Sequence, residues 1–434
     1  MKVNSTVVVA ATFTAEPLAD AVSFWAADLG LPIDVRFAGY NQAFQEILDP
    51  GSLMSRNASG LNVVAVRLED WGLGSSEARH SDDLEKKAED FIAAVAAARL
   101  QVPLLVVLCP YSSAVRSVGQ EKRRADLVQA RLAEALAGLR GVDILTPHDL
   151  IETYQVVAYD DPGAAAHGNL PYTPTFFASL GTWIVRKLRA AEVPPLKVLV
   201  LDCDQTLWNG VVGEDGPLGV VIDAPHRALQ EFALAQRAAG MLLCLCSKNA
   251  EDDVMAALER HPDILLRREH FAAWRINWDA KSESLRSLAR ELNVGADSFI
   301  FLDDNPLECA EVRARCPEVI ALTLPSDTAE IPSFLGNVWA FDRLGQTQED
   351  ARRADFYERN TAREALRGAS VTFADFIGSL GLEVRSFAPS PEHLPRIAQL
   401  TQRTNQFNNT TIRRKESEIK RGIESGALEC IAVE

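Results

Sequence analysis

Two aspartates follow a short apolar run near the middle of the sequence. The segment VLVLDCDQT places Asp202 and Asp204 at the end of a predicted buried strand, with Cys203 between them. Because desolvated like charges repel, such a pair persists where a cation or a difference in protonation separates the two carboxylates. The segment therefore indicates a cation site or an acid–base pair.

Polar residues follow the next apolar runs in the same way. Ser247 ends the run MLLCLCS, and Asp303 and Asp304 follow SFIFL. Lys281 begins the helix predicted between these two runs. Several carboxylates with one lysine and one hydroxyl suit Mg²⁺, which prefers oxygen ligands and is often shared with substrate phosphate. In such a set one carboxylate can attack phosphorus while another protonates the leaving oxygen.

The elements that carry these residues alternate between strands and helices. TVVVAA, NVVAVRL and PLLVVLCP alternate with Ala-rich helical stretches, and the pattern resumes after a Pro-Pro break at Pro194 and Pro195. This alternation predicts an α/β fold with two doubly wound parallel sheets. Because ligands bind at the carboxyl ends of such strands, the polar residues should meet at one sheet edge.

The last part of the chain shows a different pattern. A charge-laced helix is predicted over TQEDARRADFYERNTAREALRG, followed by strand, helix, helix and strand between LEVRSF and LECIAVE. This order predicts a small α+β segment after the two sheets.

Composition excludes several classes of protein. The 434-residue chain carries a formal net charge of -16, which argues against binding nucleic acid or an anionic membrane. No apolar run is long enough to span a bilayer, and the start of the chain does not resemble a signal peptide. The seven cysteines include no CxxC pair. We therefore expect a cytoplasmic protein with reduced cysteines.

Four ordered motifs resemble those of the haloacid dehalogenase (HAD) superfamily of phosphotransfer enzymes. They are DCDQT, SKN, Lys281 and FLDDN. The resemblance implies that Asp202 is the nucleophile and a metal ligand. It implies that Asp204 is the general acid and binds the metal through its backbone carbonyl. The opposing interpretation, in which these carboxylates merely cap helices, explains one position at a time.

The same resemblance implies the remaining contacts of the site. Ser247 and Lys281 would hold phosphate, and Asp303 and Asp304 would complete the magnesium site. Asn249 could contact phosphate or cap the helix that follows it, and the residues favour capping slightly.

The intervals between the motifs leave no room for the cap domain that HAD enzymes for small metabolites often insert. Asp204 to Ser247 already holds a helix and a strand, and Lys281 to Asp303 is shorter still. An open site of this kind fits a substrate delivered on a large partner, or a site covered by a neighbouring domain.

Longer motifs are similar to the FkbH-like family within the superfamily. TLWNGVVGEDG, WDAKSESL and FLDDNPLE carry the similarity, and HGNLPYTPTFFASLG and RTNQFNNTTIRR extend it to the flanking regions. The resemblance implies an SGNH-hydrolase-like domain over 1–190, a capless HAD-like catalytic domain over 191–370, and a partial GNAT-like segment over 371–434. It also implies a glyceryl transferase and phosphatase of polyketide biosynthesis. Such an enzyme dephosphorylates 1,3-bisphosphoglycerate and loads the glyceryl unit onto the phosphopantetheine thiol of an acyl carrier protein.

Cys203 has two interpretations of equal weight. As a thiolate it could attack the acyl-phosphate and form a thioester before transfer to the carrier. As a small apolar residue it could pack into the core, and the carrier thiol would then attack directly. Nearby, Trp208 is expected to pack the segment VVGEDG, whose Glu214 and Asp215 lie in a loop that could close over substrate.

Two rival functions remain open. A capless phosphoprotein or small-molecule phosphatase explains the aspartates equally well but leaves the WNGVVGEDG segment, Cys203 and the flanking regions unexplained. A catalytically idle docking module would keep a cluster of carboxylates with no metal to offset their repulsion. The sequence therefore favours the magnesium-dependent transferase.

Overall fold

The computed structural model describes residues 5–73, 81–343, 385–403 and 412–433. The chain divides into two compact units, Met1–Ala354 and Asp355–Glu434, and both parallel sheets lie in the first of them. The domain limits expected at 190/191 and 370/371 stay predictions. The helix expected over TQEDARRADFYERNTAREALRG and most of the motif RTNQFNNTTIRR lie outside the described residues.

The first sheet has five parallel strands. They are β1 (Ser5–Ala11), β2 (Ile33–Phe37), β3 (Gly60–Val66), β4 (Leu104–Leu108) and β5 (Val142–Leu145). Their order across the sheet is β2-β1-β3-β4-β5. Because successive residues of a strand point to opposite faces, Val7 and Val9 enter one hydrophobic cluster and Val8 and Ala10 enter another. Both faces of the sheet are therefore buried under helices, as the alternating sequence predicts.

Nine helices accompany the described strands of this sheet. They are α1 (Leu18–Asp28), α2 (Ala43–Leu48), α3 (Leu53–Arg56), α4 (Ser81–Ala97), α5 (Ser113–Ser117), α6 (Gly119–Ala137), α7 (Pro147–Tyr154), α8 (Pro162–Gly168) and α9 (Pro174–Glu192). The longest helices are amphipathic, and α9 buries Phe176, Leu180 and Ile184 in the cluster that contains Val7. Its first turn is capped by Thr173, whose side chain accepts from the Phe176 amide.

The second sheet also has five parallel strands. They are β6 (Val198–Leu201), β7 (Leu242–Ser247), β8 (Phe271–Ile276), β9 (Phe299–Asp303) and β10 (Ile320–Thr323). They lie in the order β10-β9-β6-β7-β8. The sequence predicts β6, β7 and β9, whose residues are all buried, whereas the edge strands β8 and β10 are not predicted.

Six helices belong to the second sheet in the described part of the chain. They are α10 (Val212–Asp215), α11 (Ala224–Ala238), α12 (Glu251–Arg260), α13 (Lys281–Glu291), α14 (Pro306–Arg315) and α15 (Ile331–Asn337). The helix predicted from Lys281 therefore begins where expected. Asp223 caps α11, and Asn305 caps α14, each by accepting a backbone N–H of the first turn.

The two sheets of the first unit are joined by contacts from α1 and α9 to the segment that follows α15. Arg186, which is 2% exposed, donates two hydrogen bonds to Asp342, at 2.7 and 2.6 Å. Trp25 packs against Trp339, with 4.9 Å between the ring centroids. A buried bidentate ion pair holds the guanidinium and the carboxylate in one geometry, and so it orients one sheet against the other.

The described part of the second unit is small. Two short strands, β11 (Ser386–Phe387) and β12 (Ala432–Val433), pair in antiparallel fashion. Between them lie α16 (Leu394–Arg403) and α17 (Glu416–Glu424), which bury Leu394, Ala398 and Ile419. This order matches the strand, helix, helix and strand that the sequence predicts.

Among the helices described in both units, none combines the length and the hydropathy that a membrane-spanning helix requires.

Candidate functional site

The candidate site lies at the carboxyl edge of the second sheet. Strands β9, β6 and β7 are neighbours, and Asp303, Asp202 and Ser247 lie at or directly after their carboxyl ends. Lys281, the first residue of α13, reaches the same place with its side chain. The sheet order thus brings together residues that are far apart in the sequence.

The Lys281 ammonium lies between two carboxylates. Its Nζ donates to Asp202 Oδ1 at 2.5 Å and to the carbonyl oxygen of Cys246 at 2.7 Å. The same nitrogen lies 3.1 Å from Asp303 Oδ2. Because the lysine side chain is only 3% exposed, these contacts replace the water that the ammonium would otherwise bind.

Burial changes the acidity of this cluster. It raises the pKa of Asp202 to about 6, although the Lys281 charge acts in the opposite direction. Burial also raises the pKa of Asp303 and of Asp304, and the charge of Asp202 adds to the rise at Asp304. Burial alone would lower the pKa of Lys281, but Asp202 raises it above its usual range. One ammonium therefore leaves negative charge in excess among these carboxylates.

Three carboxylates are placed as ligands of one cation. Oxygens of Asp202, Asp303 and Asp304 lie within 4.8 Å of one another. Asp303 Oδ2 is buried and accepts no hydrogen bond from the described residues, and its contact there is the ion pair with Lys281. A hard divalent cation such as Mg²⁺ would satisfy both this oxygen and the excess charge. The residues present therefore fit the expected metal.

Asp204 is held by three N–H groups from three different segments. Trp208 Nε1 and the Val212 amide donate to Oδ1, at 2.9 and 3.0 Å. Asn249 Nδ2 donates to Oδ2 at 3.0 Å. Trp208 is fully buried, so it packs the loop as expected, but sequence reasoning missed its bond to Asp204. The spacing of four residues between the two is the signal that could have suggested it.

The structure corrects the favoured interpretation of Asn249. Helix α12 begins one residue later than that interpretation needs, with Ala250 at its N-cap and no side-chain capping bond. The Asn249 side chain instead donates to Asp204 and, at 3.0 Å, to Ser247 Oγ. Both N–H groups of its amide are thereby used within the site, and any phosphate contact would have to replace one of them.

Cys203 lies beneath the site. Its side chain is 0% exposed and belongs to the hydrophobic cluster that contains Leu207 and Trp208. Burial raises the pKa of the thiol well above its usual range, and the charge of Asp202 adds to the rise. Because the thiolate is the nucleophilic form, these observations favour the packing interpretation over the acyl-enzyme interpretation.

A tight turn links β6 to the rest of the cluster. Gln205 has a φ of 55°, in the left-handed region that side chains other than glycine rarely adopt. Thr206 follows it, and its buried Oγ1 accepts from the Asp304 amide at 3.2 Å. The threonine of the DCDQT motif thus fixes the loop that carries Asp304.

The segment expected to close over substrate is itself folded. Residues Val212–Asp215 form a short helix, and the Asp215 carboxylate accepts from the Val211 amide at 2.8 Å. A side chain at Gly219 would bring its Cβ to 2.0 Å from the Asp215 carbonyl oxygen, so this close approach requires glycine. Glu214 and Asp215 are exposed at the surface of the segment.

The molecule is thus a mixed α/β protein with two five-stranded parallel sheets and a carboxylate cluster at one sheet edge. A scan of protein-family models finds no match to the chain, and a search of the curated proteins finds none either.

Among solved structures, the chain is similar to the N-terminal part of the protein BF1531 from Bacteroides fragilis, which contains a phosphatase domain and is complexed with Mg. The TM-score is 0.64 at 21% sequence identity, and the alignment covers 79% of this chain and 94% of that one. At this identity the likeness shows a shared fold. Tagatose-6-phosphate ketose/aldose isomerase from Escherichia coli aligns over 78% of this chain and 82% of its own, at 12% identity. Its TM-score of 0.20 is too low to indicate a shared fold.

Proposed function

We propose that this protein is a magnesium-dependent phosphotransfer enzyme of the HAD superfamily, and within it an FkbH-like glyceryl transferase and phosphatase. One observation carries the proposal: three carboxylates lie within 4.8 Å of one another beside a buried lysine at the end of a central strand. The shared fold with a phosphatase-containing structure supports the phosphotransfer part. The substrate, 1,3-bisphosphoglycerate, and the acyl carrier protein come from the resemblance of the sequence motifs.

In the proposed mechanism Asp202 is the nucleophile. Its attack forms a bond to phosphorus while the bond from phosphorus to the leaving oxygen breaks, and the product is an aspartyl-phosphate. Lys281 orients this carboxylate, because Nζ holds Oδ1 at 2.5 Å. Asp202, Asp303, Asp304 and the backbone carbonyl of Asp204 would hold Mg²⁺, which would supply positive charge to offset the charge of the phosphoryl oxygens.

Asp204 moves the proton in both halves of this reaction. It gives a proton to the leaving oxygen, and then it takes one from the water that attacks the aspartyl-phosphate. The oxygen of that water bonds to phosphorus as the bond to Asp202 breaks, and inorganic phosphate is released. Ser247 lies beside Asp202 at the end of β7, where its hydroxyl can contact the phosphoryl group.

The acyl transfer follows a direct route in this proposal. The phosphopantetheine thiol of the carrier attacks the carbonyl carbon of the glyceryl acyl-phosphate. A carbon–sulfur bond forms, the carbon–oxygen bond to phosphate breaks, and the departing phosphate takes the thiol proton. The buried position of Cys203 supports this route over an acyl-enzyme.

The entrance to the site supports a substrate carried on a protein. The described chain holds only α10, α11 and β7 between Asp204 and Ser247, and only α13, one 3-10 turn and β9 between Lys281 and Asp303, so neither interval contains an inserted cap domain. Two large apolar side chains close to Lys281 and Asp304 in sequence, Trp278 and Leu307, are 75% and 77% exposed. In this proposal the two side chains form part of the surface that contacts the carrier protein.

The finer assignments of fold and location belong to the same proposal. We assign an SGNH-like fold to the first sheet, a capless HAD-like fold to the second and a partial GNAT-like fold to the second unit. We place the protein in the cytoplasm, because all seven cysteines are free and thiols stay reduced there.

The experiment that tests the proposal weighs two proteins. The full chain is incubated with Mg²⁺, 1,3-bisphosphoglycerate and a phosphopantetheinylated carrier protein, and the intact masses of both proteins are measured. We expect a glyceryl adduct on the carrier, which disappears when Mg²⁺ is chelated. Release of inorganic phosphate without any adduct on the carrier would support the phosphatase alternative. If neither phosphate nor an adduct is formed, both functions are contradicted.

Replacing Cys203 distinguishes the two acyl-transfer routes. We expect Cys203→Ala to load the carrier at a rate within about threefold of wild type, because a buried thiol of raised pKa takes no part in the direct route. The measurement is the time course of adduct formation on the carrier, with a parallel scan for any adduct on the enzyme. If the folded variant no longer loads the carrier, and an enzyme-bound glyceryl mass seen in wild type is also lost, the acyl-enzyme route is supported instead.

A further inference from the structure

The contacts of Asp204 assign its two oxygens different tasks. Oδ1 accepts from Trp208 Nε1 and from the Val212 amide, and a carboxylate oxygen offers about two positions for such bonds. Oδ2 accepts from Asn249, its single partner among the described residues. The free position for a reacting proton is therefore on Oδ2.

The donors themselves are rigidly held. Trp208 is 0% exposed and Val212 is 1% exposed, and both belong to the hydrophobic cluster beneath the site. Gln230, which is fully buried, donates to the Leu207 carbonyl oxygen at 2.8 Å and so restrains the backbone directly before Trp208. An indole ring packed in this way cannot follow a carboxylate that rotates, so the bond fixes the carboxylate instead.

We propose that Trp208 is a positioning residue, whose indole N–H holds Asp204 Oδ1 so that Oδ2 faces the leaving oxygen. The inference rests on the proposed function, since it gives a purpose to a residue beside the proposed acid. In this step the Oδ2–H bond of Asp204 breaks and the leaving oxygen gains the proton. At the same time the bond between that oxygen and phosphorus breaks, and Asp202 forms its bond to phosphorus. Trp208 itself exchanges no proton.

This role predicts a loss that depends on the leaving group. Phenyl phosphate releases a poor leaving group that needs the proton, whereas p-nitrophenyl phosphate releases one that leaves as an anion. Proton transfer by a positioned acid increases the rate about 10²–10⁴-fold, and a misplaced Asp204 should lose part of that increase. We expect Trp208→Phe to lower kcat/KM, which reports the first half of the reaction alone, at least about tenfold for phenyl phosphate and less than about threefold for p-nitrophenyl phosphate.

The matched control removes a similar bond away from the site. Trp274 Nε1 also donates to a carboxylate, Glu251 Oε1, at 2.9 Å. Neither partner of this hydrogen bond is a residue of the candidate site. Trp274→Phe should leave kcat/KM for both aryl phosphates unchanged. If Trp208→Phe fails to fold, benzothienylalanine at position 208 keeps the bicyclic shape and replaces the N–H by sulfur, and we expect the same selective loss.

The outcomes separate this inference from the proposed function. An equal loss of kcat/KM on both aryl phosphates, or no loss on either, would overturn the positioning role while leaving the phosphotransfer proposal in place. A wild-type protein that turns over neither aryl phosphate in the presence of Mg²⁺ would contradict the proposed function, and the inference with it. Selective loss on phenyl phosphate supports both.

Discussion

Asp202→Asn is expected to lower the turnover of aryl phosphates and of 1,3-bisphosphoglycerate by at least about 10⁴-fold, the scale seen when a nucleophile is removed. The amide keeps the shape of the side chain but has no anionic oxygen to attack phosphorus. The measurement is release of inorganic phosphate in the presence of Mg²⁺, at enzyme concentrations high enough to detect the residual rate.

The control for this variant is an exposed carboxylate near the same sheet edge. Asp279 lies two residues before Lys281 and is exposed, and Asp279→Asn should keep the wild-type rate. Retention of more than about a hundredth of the activity by a folded Asp202→Asn protein would contradict nucleophilic catalysis by Asp202.

Lys281→Met should have the largest effect on stability. Removing one partner of a buried ion pair leaves uncompensated charge, which typically costs about 3–5 kcal/mol. Here the loss strands Asp202 and Asp303, whose side chains are 10% and 1% exposed. The free energy of unfolding, measured by urea denaturation in the absence of metal, should fall by that amount. Added Mg²⁺ should recover part of it, because a cation would neutralise the same carboxylates.

Lys248→Met is the matched control for that measurement. Lys248 Nζ lies 2.7 Å from Glu308 Oε1, but the lysine side chain is 37% exposed. Because water compensates an exposed pair, the variant should lose less than about 1 kcal/mol of unfolding free energy. Equal losses in the two variants would show that burial of the Lys281 cluster has no special cost.

Much of the candidate site follows from the sequence, since its residues follow buried strands. VLVL before Asp202 and SFIFL before Asp303 are continuous apolar runs, and central strands of a doubly wound sheet have that composition. Once the strands are recognised, the general rule for carboxyl edges brings the aspartates together. Ser247 at the end of another such run, and Lys281 at the start of a predicted helix, then complete the cluster.

Edge strands are harder to recognise from the sequence. β8, with the sequence FAAWRI, has three buried and three half-buried residues and contains Arg275, which donates to Glu291 at 2.6 Å. β10 has only four residues. Because an edge strand pairs on one side only and is partly covered, it need not be a continuous apolar run.

The contacts of Asp204 depend on backbone geometry that the sequence does not reveal. Gln205 adopts a left-handed conformation, which turns the chain so that Trp208 faces the carboxylate. Asn249 precedes α12 and resembles a cap, a common role for this residue type. Its actual partners, Asp204 and Ser247, are neighbours only because β6 and β7 pair in the sheet.

Calorimetric titration with Mg²⁺ tests the central claim most directly, because the account depends on a cation held by Asp202, Asp303 and Asp304. Wild type and Asp279→Asn should each bind one Mg²⁺ per chain, and a variant carrying both Asp303→Asn and Asp304→Asn should bind none there. Unchanged binding by the double variant, or no binding by wild type, would contradict the account.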